Sequence, residues 1–206
     1  FKVNVTAAHA PLLPCVPDGT DHAFAIDLGT TTVAVALVDL ASGKIVAEAS
    51  GLNRQVELGD DVLTRIQIAG APAARAALRE AVAARTIDPL MRAACTAAGV
   101  ATRRVAGAVV AGNTTMLHLL TGTDPTSLGV APFRAAFTEH RVLTAAALGW
   151  PAVPPAAAVH LLPGFSAYVG ADLVAGCVCT GLHLATGPTL LVDLGTNGEI
   201  LLRHDR

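Results

Sequence analysis

Apolar and polar positions alternate in short blocks through the early part of the chain, and their spacing predicts strands before helices. Residues 24–40 read FAIDLGTTTVAVALVDL. Two apolar runs there enclose a polar turn from Asp27 to Thr32, the signature of a β-hairpin. A turn at residues 41–44 and the run 44–51 add a third strand, so the chain opens on a meander. Residues 52–58 read as a loop. Gly59-Asp60-Asp61 then opens a helix whose acids suit its positive end, with Val62, Leu63, Ile66 and Ala69 as its apolar face. Gly70-Ala71-Pro72 breaks it. Residues 73–99 keep helical spacing through Ile87, Leu90, Met91, Ala94, Cys95 and Ala98. Pro89 inside that run predicts a kink, or a restart capped by Asp88, and Gly99 predicts a stop.

Residues 104–111 predict a short buried strand. Gly112-Asn113-Thr114-Thr115 then turns into a helix ending at Thr121, with Asn113 or Thr114 able to cap it. Residues 133–148 have weak periodicity and are read as mixed. Another buried strand at 159–162 leads to a helix over 171–182, with Asp172 in its first turn. The chain closes on a second hairpin, TLLVDLGTNGEILL, over residues 189–202. The order βββ, α, β, α, β, α predicts an α/β, ribonuclease H-like lobe with a mixed sheet, and the last hairpin reads as the opening piece of a second lobe. A pure Rossmann sheet would not begin with a meander. Residues 1–22, punctuated by Pro11, Pro14 and Pro17, read as a linker or tail of a preceding domain, with Val3 and Val5 as a stray edge strand.

The two hairpins share a sequence. Val192-Asp193-Leu194-Gly195-Thr196 repeats Ile26-Asp27-Leu28-Gly29-Thr30 almost letter for letter. In each, an acid ends a strand, a glycine follows, and hydroxyl or amide side chains come next. Such a turn can wrap a phosphate with donors while the acid holds a hydrated divalent cation. Candidate cation holders are therefore Asp27 and Asp193. Candidate phosphate binders are Gly29, Thr30, Thr31 and Thr32 from the first turn, and Gly195, Thr196 and Asn197 from the second. Asn113 and Thr114 are candidates for lining the same cleft, unless they only cap a helix. Asp172 is a candidate base for an attacking water, or else a partner of its helix dipole. Glu199 is a second candidate base, or simply a strand residue.

Composition narrows the classes. The chain has 206 residues, 52% hydrophobic and 15% charged, enough for a sizeable core. Residues 142–171 hold no Asp, Glu, Lys or Arg, but Pro151, Pro154, Pro155 and Pro163 interrupt them, which argues against a spanning helix. The N-terminus lacks the pattern of a secretory signal, so the expectation is cytoplasmic, with no membrane partner. Net charge of −2, no basic run and 3% aromatics argue against nucleic acid. Cys15, Cys95, Cys177 and Cys179 form no Cys-x-x-Cys and are expected as buried, reduced thiols. The pair Cys177 and Cys179 is expected to pack, and His118 and His160 are expected as satisfied core histidines.

Asp27 to Thr32 and Asp193 to Gly198 resemble the paired phosphate motifs of the actin, sugar kinase and heat-shock chaperone superfamily. Together with GNTTMLHLL (112–120), LGVAPF (128–133), VGADLVAG (169–176) and VDLGTNGEI (192–200), they resemble more narrowly the C-terminal ATPase region of the reductive activators of corrinoid proteins. The resemblance implies residues 23–187 as a first actin-like lobe and 188–206 as the opening of a truncated second lobe. It implies ATP and Mg²⁺ as cofactors, and a corrinoid protein of a methyltransferase system as partner, returned from Co(II) to Co(I). A two-iron two-sulfur cluster is implied only for a separate domain of the parent protein, since this chain lacks cluster cysteines. With the superfamily's adenosine-binding part in the second lobe, ATP affinity of the chain alone is expected to be weak or absent. The rivals are an activator of a radical dehydratase, a sugar kinase, and a nucleotide-free docking or dimerisation scaffold whose exposed hairpin makes a homodimer.

Overall fold

A computed structural model describes residues 19–204. The readings for residues 1–18, with Val3, Val5, Cys15 and the three early prolines, lie outside the described residues. The meander forms as its alternation requires: β1 (His22–Leu28), β2 (Thr32–Asp39) and β3 (Lys44–Leu52) pair antiparallel in sequence. On the other side of β1 lies β4 (Val105–Gly112), parallel to it, and β6 (Ala158–Leu161) is parallel to β4. A short strand, β5 (Arg141–Thr144), closes the far edge antiparallel to β6. The sheet order is β3-β2-β1-β4-β6-β5, and β7 (Thr189–Leu194) and β8 (Gly198–Arg203) form a separate two-stranded hairpin. This is an α/β fold with a mixed, ribonuclease H-like sheet.

Period-two patterning decides which face is buried. Phe24, Ile26 and Leu28 of β1 and Val33, Val35 and Leu37 of β2 point to one side and are buried. They pack with α2 (Pro72–Val82), α3 (Asp88–Ala98) and α4 (Thr114–Thr121), whose Leu78, Met91, Met116, Leu119 and Leu120 are fully buried. The opposite face of the same strands carries Ala25, Asp27 and Ala34, all exposed. On that side α6 (Ala171–Thr180) packs across β4.

The structure departs from the sequence reading in four places. Asp61 caps α1 (Val62–Ile68), its carboxylate accepting from the Thr64 N–H at 2.8 Å. But Leu63 is 57% exposed, so the apolar face of α1 runs through Ile66 and Ala69 instead. Asp88 does not cap a restarted helix. Residues Ala83–Ile87 form one wide π turn, in which the Asp88 N–H bonds to the Ala83 carbonyl. The widened turn passes Pro89, which has no N–H for the Arg85 carbonyl, without ending the helix. The buried Asp88 carboxylate instead takes the Ala152 N–H at 2.7 Å and Arg92 Nε at 2.9 Å. The loop after β3 contains a 3-10 turn, Arg54–Glu57. Finally, the mixed region resolves into β5 and a single turn, α5 (Ala145–Leu148), too short for periodicity to register.

A cleft between two acid-tipped turns

The functional candidates meet at the carboxyl ends of the parallel strands β1 and β4, where ligands of α/β sheets commonly sit. Asp27 stands on the open face of β1, between Ala34 of β2 and Ala111 of β4 in register. Leu28 and Gly29 then lead into the first turn. The equivalent turn of the β7–β8 hairpin lies across from it, and the Thr31 and Thr196 hydroxyls touch at 2.9 Å. Between the two turns is a cleft of about 530 Å³. Its lining includes Asp27, Gly29, Thr30, Thr31, Thr32 and Asn113 on one side and Asp193, Gly195, Thr196, Asn197 and Glu199 on the other, with Asp172 at the base of α6.

Each group reaches the cleft for a local reason. Asn113 caps α4, its carbonyl oxygen taking the Met116 N–H at 3.0 Å, and its amide donates to Thr30 Oγ1 at 3.0 Å. It thus ties the first turn to the β4–α4 turn. Gly170 lets α6 approach that turn: a Cβ there would stand 2.5 Å from Asn113 Cα and 2.9 Å from the Gly112 carbonyl. That close approach carries Asp172 to the cleft, where its carboxylate accepts the Leu173 N–H at 2.9 Å. The second turn is closed by the Gly195 N–H on the Asn197 carbonyl at 3.2 Å.

Thr114 is the candidate the structure moves away. It is buried, its hydroxyl donates to the Ser166 carbonyl at 2.7 Å, and it is absent from the cleft lining. One residue after the Asn113 cap, its side chain turns to the helix's other side.

Four carboxylates share the space, and their electrostatics reflect it. Asp27 is pushed above the usual carboxylate range, mainly because the surrounding protein strips water from it, and further by Asp172 and Asp193. Asp172 is also raised, by burial first and then by Asp193, against the hydrogen bonds from the Leu173 and Asp172 backbone. Glu199 is raised by burial and then by Asp193 and Asp172. Crowded carboxylates of this kind are relieved by a cation. Among the described residues no group of three His, Cys, Asp or Glu is placed to ligate one ion directly. Asp27 and Asp193, facing the cleft from opposite turns, could hold a cation through water.

Sequence reasoning missed part of the lining: Ala111, Ala175, Gly176 and Cys179. The signal was present, since Asp172, Ala175, Gly176 and Cys179 fall on one helical face. The expectation of packed cysteines holds for buried Cys95, but Cys177 is half-buried and Cys179 is exposed at the cleft. His118 is satisfied in the core, with Nδ1 at 2.7 Å from the Thr114 carbonyl and Nε2 accepting the Ala136 N–H at 3.0 Å. His160 is buried and hydrogen-bonds His140 at 3.1 Å. Among the described residues no helix is long and apolar enough to cross a membrane.

Comparison with known proteins converges on one group. Residues 22–185 match the family described as RACo middle region. The chain is 35% identical over 180 residues to the corrinoid activation enzyme RamQ of Eubacterium limosum, covering 87% of this chain and 30% of that protein. It is similar to a solved structure of a reductive activator for corrinoid, iron-sulfur protein, with TM-score 0.87 and 37% identity over 92% of this chain and 30% of the other. The chain thus spans about a third of the length of either relative. By the extent of the family match, the chain belongs to the RACo middle region family.

Proposed function

We propose that this chain supplies a magnesium-nucleotide site to an ATP-dependent reductive activator, which returns a corrinoid protein from Co(II) to Co(I). The observation that carries this reading is the convergence of Asp27 and Asp193, 166 positions apart, on one cleft whose two turns touch through Thr31 and Thr196. In this reading residues 23–187 are a first actin-like lobe and 188–206 open a second. Asp27 and Asp193 would hold hydrated Mg²⁺, which when bound neutralises phosphate charge. Thr30, Thr31, Thr32, Thr196 and Asn197, with Gly29 and Gly195, would donate to the phosphate oxygens. Asp172 and Glu199 would orient or deprotonate water. The raised affinity of both for protons makes them better bases than ordinary surface carboxylates. The electron for Co(II) would come from an iron–sulfur domain elsewhere in the parent protein, because this sequence offers no cluster cysteines.

Titration calorimetry with Mg-ATP tests the reading. Weak binding by this chain, or binding by the longer parent protein, is expected with Mg²⁺, much weaker with a chelator, and lost in the double variant Asp27→Asn, Asp193→Asn. No heat from either the chain or the parent protein at millimolar Mg-ATP would overturn the nucleotide site. A second reading has its own support. Leu190, Val192, Leu194, Ile200 and Leu202 are all exposed, on the outer side or at the tip of the β7–β8 hairpin, an apolar surface suited to another protein or a second copy. A dimer by sedimentation, with no nucleotide binding, would favour that scaffold role.

A further inference from the structure

Behind the first turn lies a cation that the proposed chemistry does not touch. Arg65 of α1 is 0% exposed, and no described residue forms an ion pair with it. Its Nη1 donates to the Thr30 carbonyl at 2.7 Å and its Nε to the Gly59 carbonyl at 2.7 Å, while Nη2 has no hydrogen-bond partner among the described residues. Burial pulls its pKa down, with Asp61 and Asp60 pulling the other way, yet a guanidinium stays charged. Beside it, Asn53 is also 0% exposed. The Asn53 side chain donates to the Gly29 carbonyl at 2.9 Å, and its backbone N–H donates to the Thr31 carbonyl at 2.8 Å. Gln55 Oε1 braces both donors, 3.3 Å from each.

Three successive carbonyls, those of Gly29, Thr30 and Thr31, are therefore drawn to the interior side of the turn. A trans peptide points each C=O opposite the N–H that follows. Pinning those carbonyls inward turns the amides of Thr30, Thr31 and Thr32 outward, and a run of such amides binds anions. A buried arginine without a carboxylate partner is costly, and an apolar side chain of similar volume there would often be neutral or stabilising. Filling space does not explain it.

We propose that Arg65 and Asn53 are positioning residues: they aim the amides of Thr30, Thr31 and Thr32 at a polyphosphate in the cleft, with a fixed positive charge behind them. This rests on the magnesium-nucleotide reading of the cleft but concerns only its phosphate half.

The test is an amide-resolved NMR titration with magnesium tripolyphosphate, run beside thermal melts. The proteins are wild type, Arg65→Met, Arg65→Lys, Asn53→Ser and Asp88→Asn; the last is a destabilised control away from the turn. In wild type the Thr30, Thr31 and Thr32 amides should shift on titration. Arg65→Met should bind at least about tenfold more weakly, a loss of one hydrogen bond to a charged network. Arg65→Lys should recover part of that, and Asn53→Ser should fall between. Asp88→Asn should melt earlier with its affinity intact. A folded Arg65→Met with wild-type affinity overturns the proposal and leaves the nucleotide site standing. If Arg65→Met does not fold, unchanged affinity in both Arg65→Lys and Asn53→Ser overturns it equally. A wild type that binds no tripolyphosphate overturns the proposal. If that wild type, or the longer parent protein, still binds Mg-ATP, the nucleotide reading survives; if neither protein binds either ligand, both fail.

Discussion

At the scale of single residues, the cleft trades stability for charge. Asp27 holds its proton more tightly folded than unfolded, for the reasons of desolvation and of the Asp172 and Asp193 charges given above. Between its ordinary value of 3.8 and its raised folded value the native state binds more protons, so this group's contribution falls as pH rises through that window. At neutral pH its charge therefore subtracts from stability. Asp27→Asn should melt at a higher temperature than wild type at pH 7, and the gap should close below about pH 4, where both states are protonated. Other carboxylates behave oppositely: Asp61 is held below its ordinary value by the Thr64 backbone and hydroxyl. The difference between the two melting curves is the quantity to measure, not either curve alone. Gly170 is a second residue-scale test. Two of the three atoms its Cβ would meet, Asn113 Cα and the Gly112 carbonyl oxygen, belong to backbone, which cannot swing aside; the third is Asp172 Oδ1. Gly170→Ala should cost roughly 1–3 kcal/mol in urea unfolding.

At the scale of elements, the strands and their patterning were legible where sequence alone decides them. The β1–β2 and β7–β8 hairpins were marked by apolar runs around repeated Asp-Leu-Gly-Thr turns. Cβ alternation placed Asp27 on the face opposite Phe24 and Leu28. What escaped depends on partners distant in sequence. β5 is four residues long and exists because β6 offers it an edge. Asp88 looked like a cap because its neighbour is proline, but Ala152 and Arg92 claim its oxygens. Arg65 and Asn53 looked like an ordinary helix residue and an ordinary loop residue, since nothing local reveals which carbonyl a long side chain will find. The dual role of Asn113 makes α4 testable. Asn113→Ala loses the cap to Met116 and the tie to Thr30, and should cost about 1–2 kcal/mol in urea unfolding. The β7–β8 hairpin has one neighbouring face and two strands, a marginal unit by itself. Its amides should exchange with solvent orders of magnitude faster than those of β1 and β4, as hydrogen-exchange mass spectrometry would show.

At the scale of the whole molecule, the meander followed by parallel strands carried the fold class, and the repeated turn carried the site. The cleft itself was legible only as a prediction of convergence, because facing requires the path of β4 and α6 between the two hairpins. Its four carboxylates predict a global response to cations. Millimolar Mg²⁺ should raise the melting temperature of wild type more than that of Asp27→Asn or Asp193→Asn, by linkage to the folded state. An equal rise in all three would mean the ion acts elsewhere.

The hydroxyl contact between Thr31 and Thr196 has a consequence for how the molecule opens. Either oxygen can donate, so the contact has no fixed polarity and survives a swap of roles. A single neutral bond of this kind nets about 0.5–1.5 kcal/mol against water. The two turns are thus latched, not locked. A guest that offers both hydroxyls better acceptors can part them at little cost, and its departure lets them meet again.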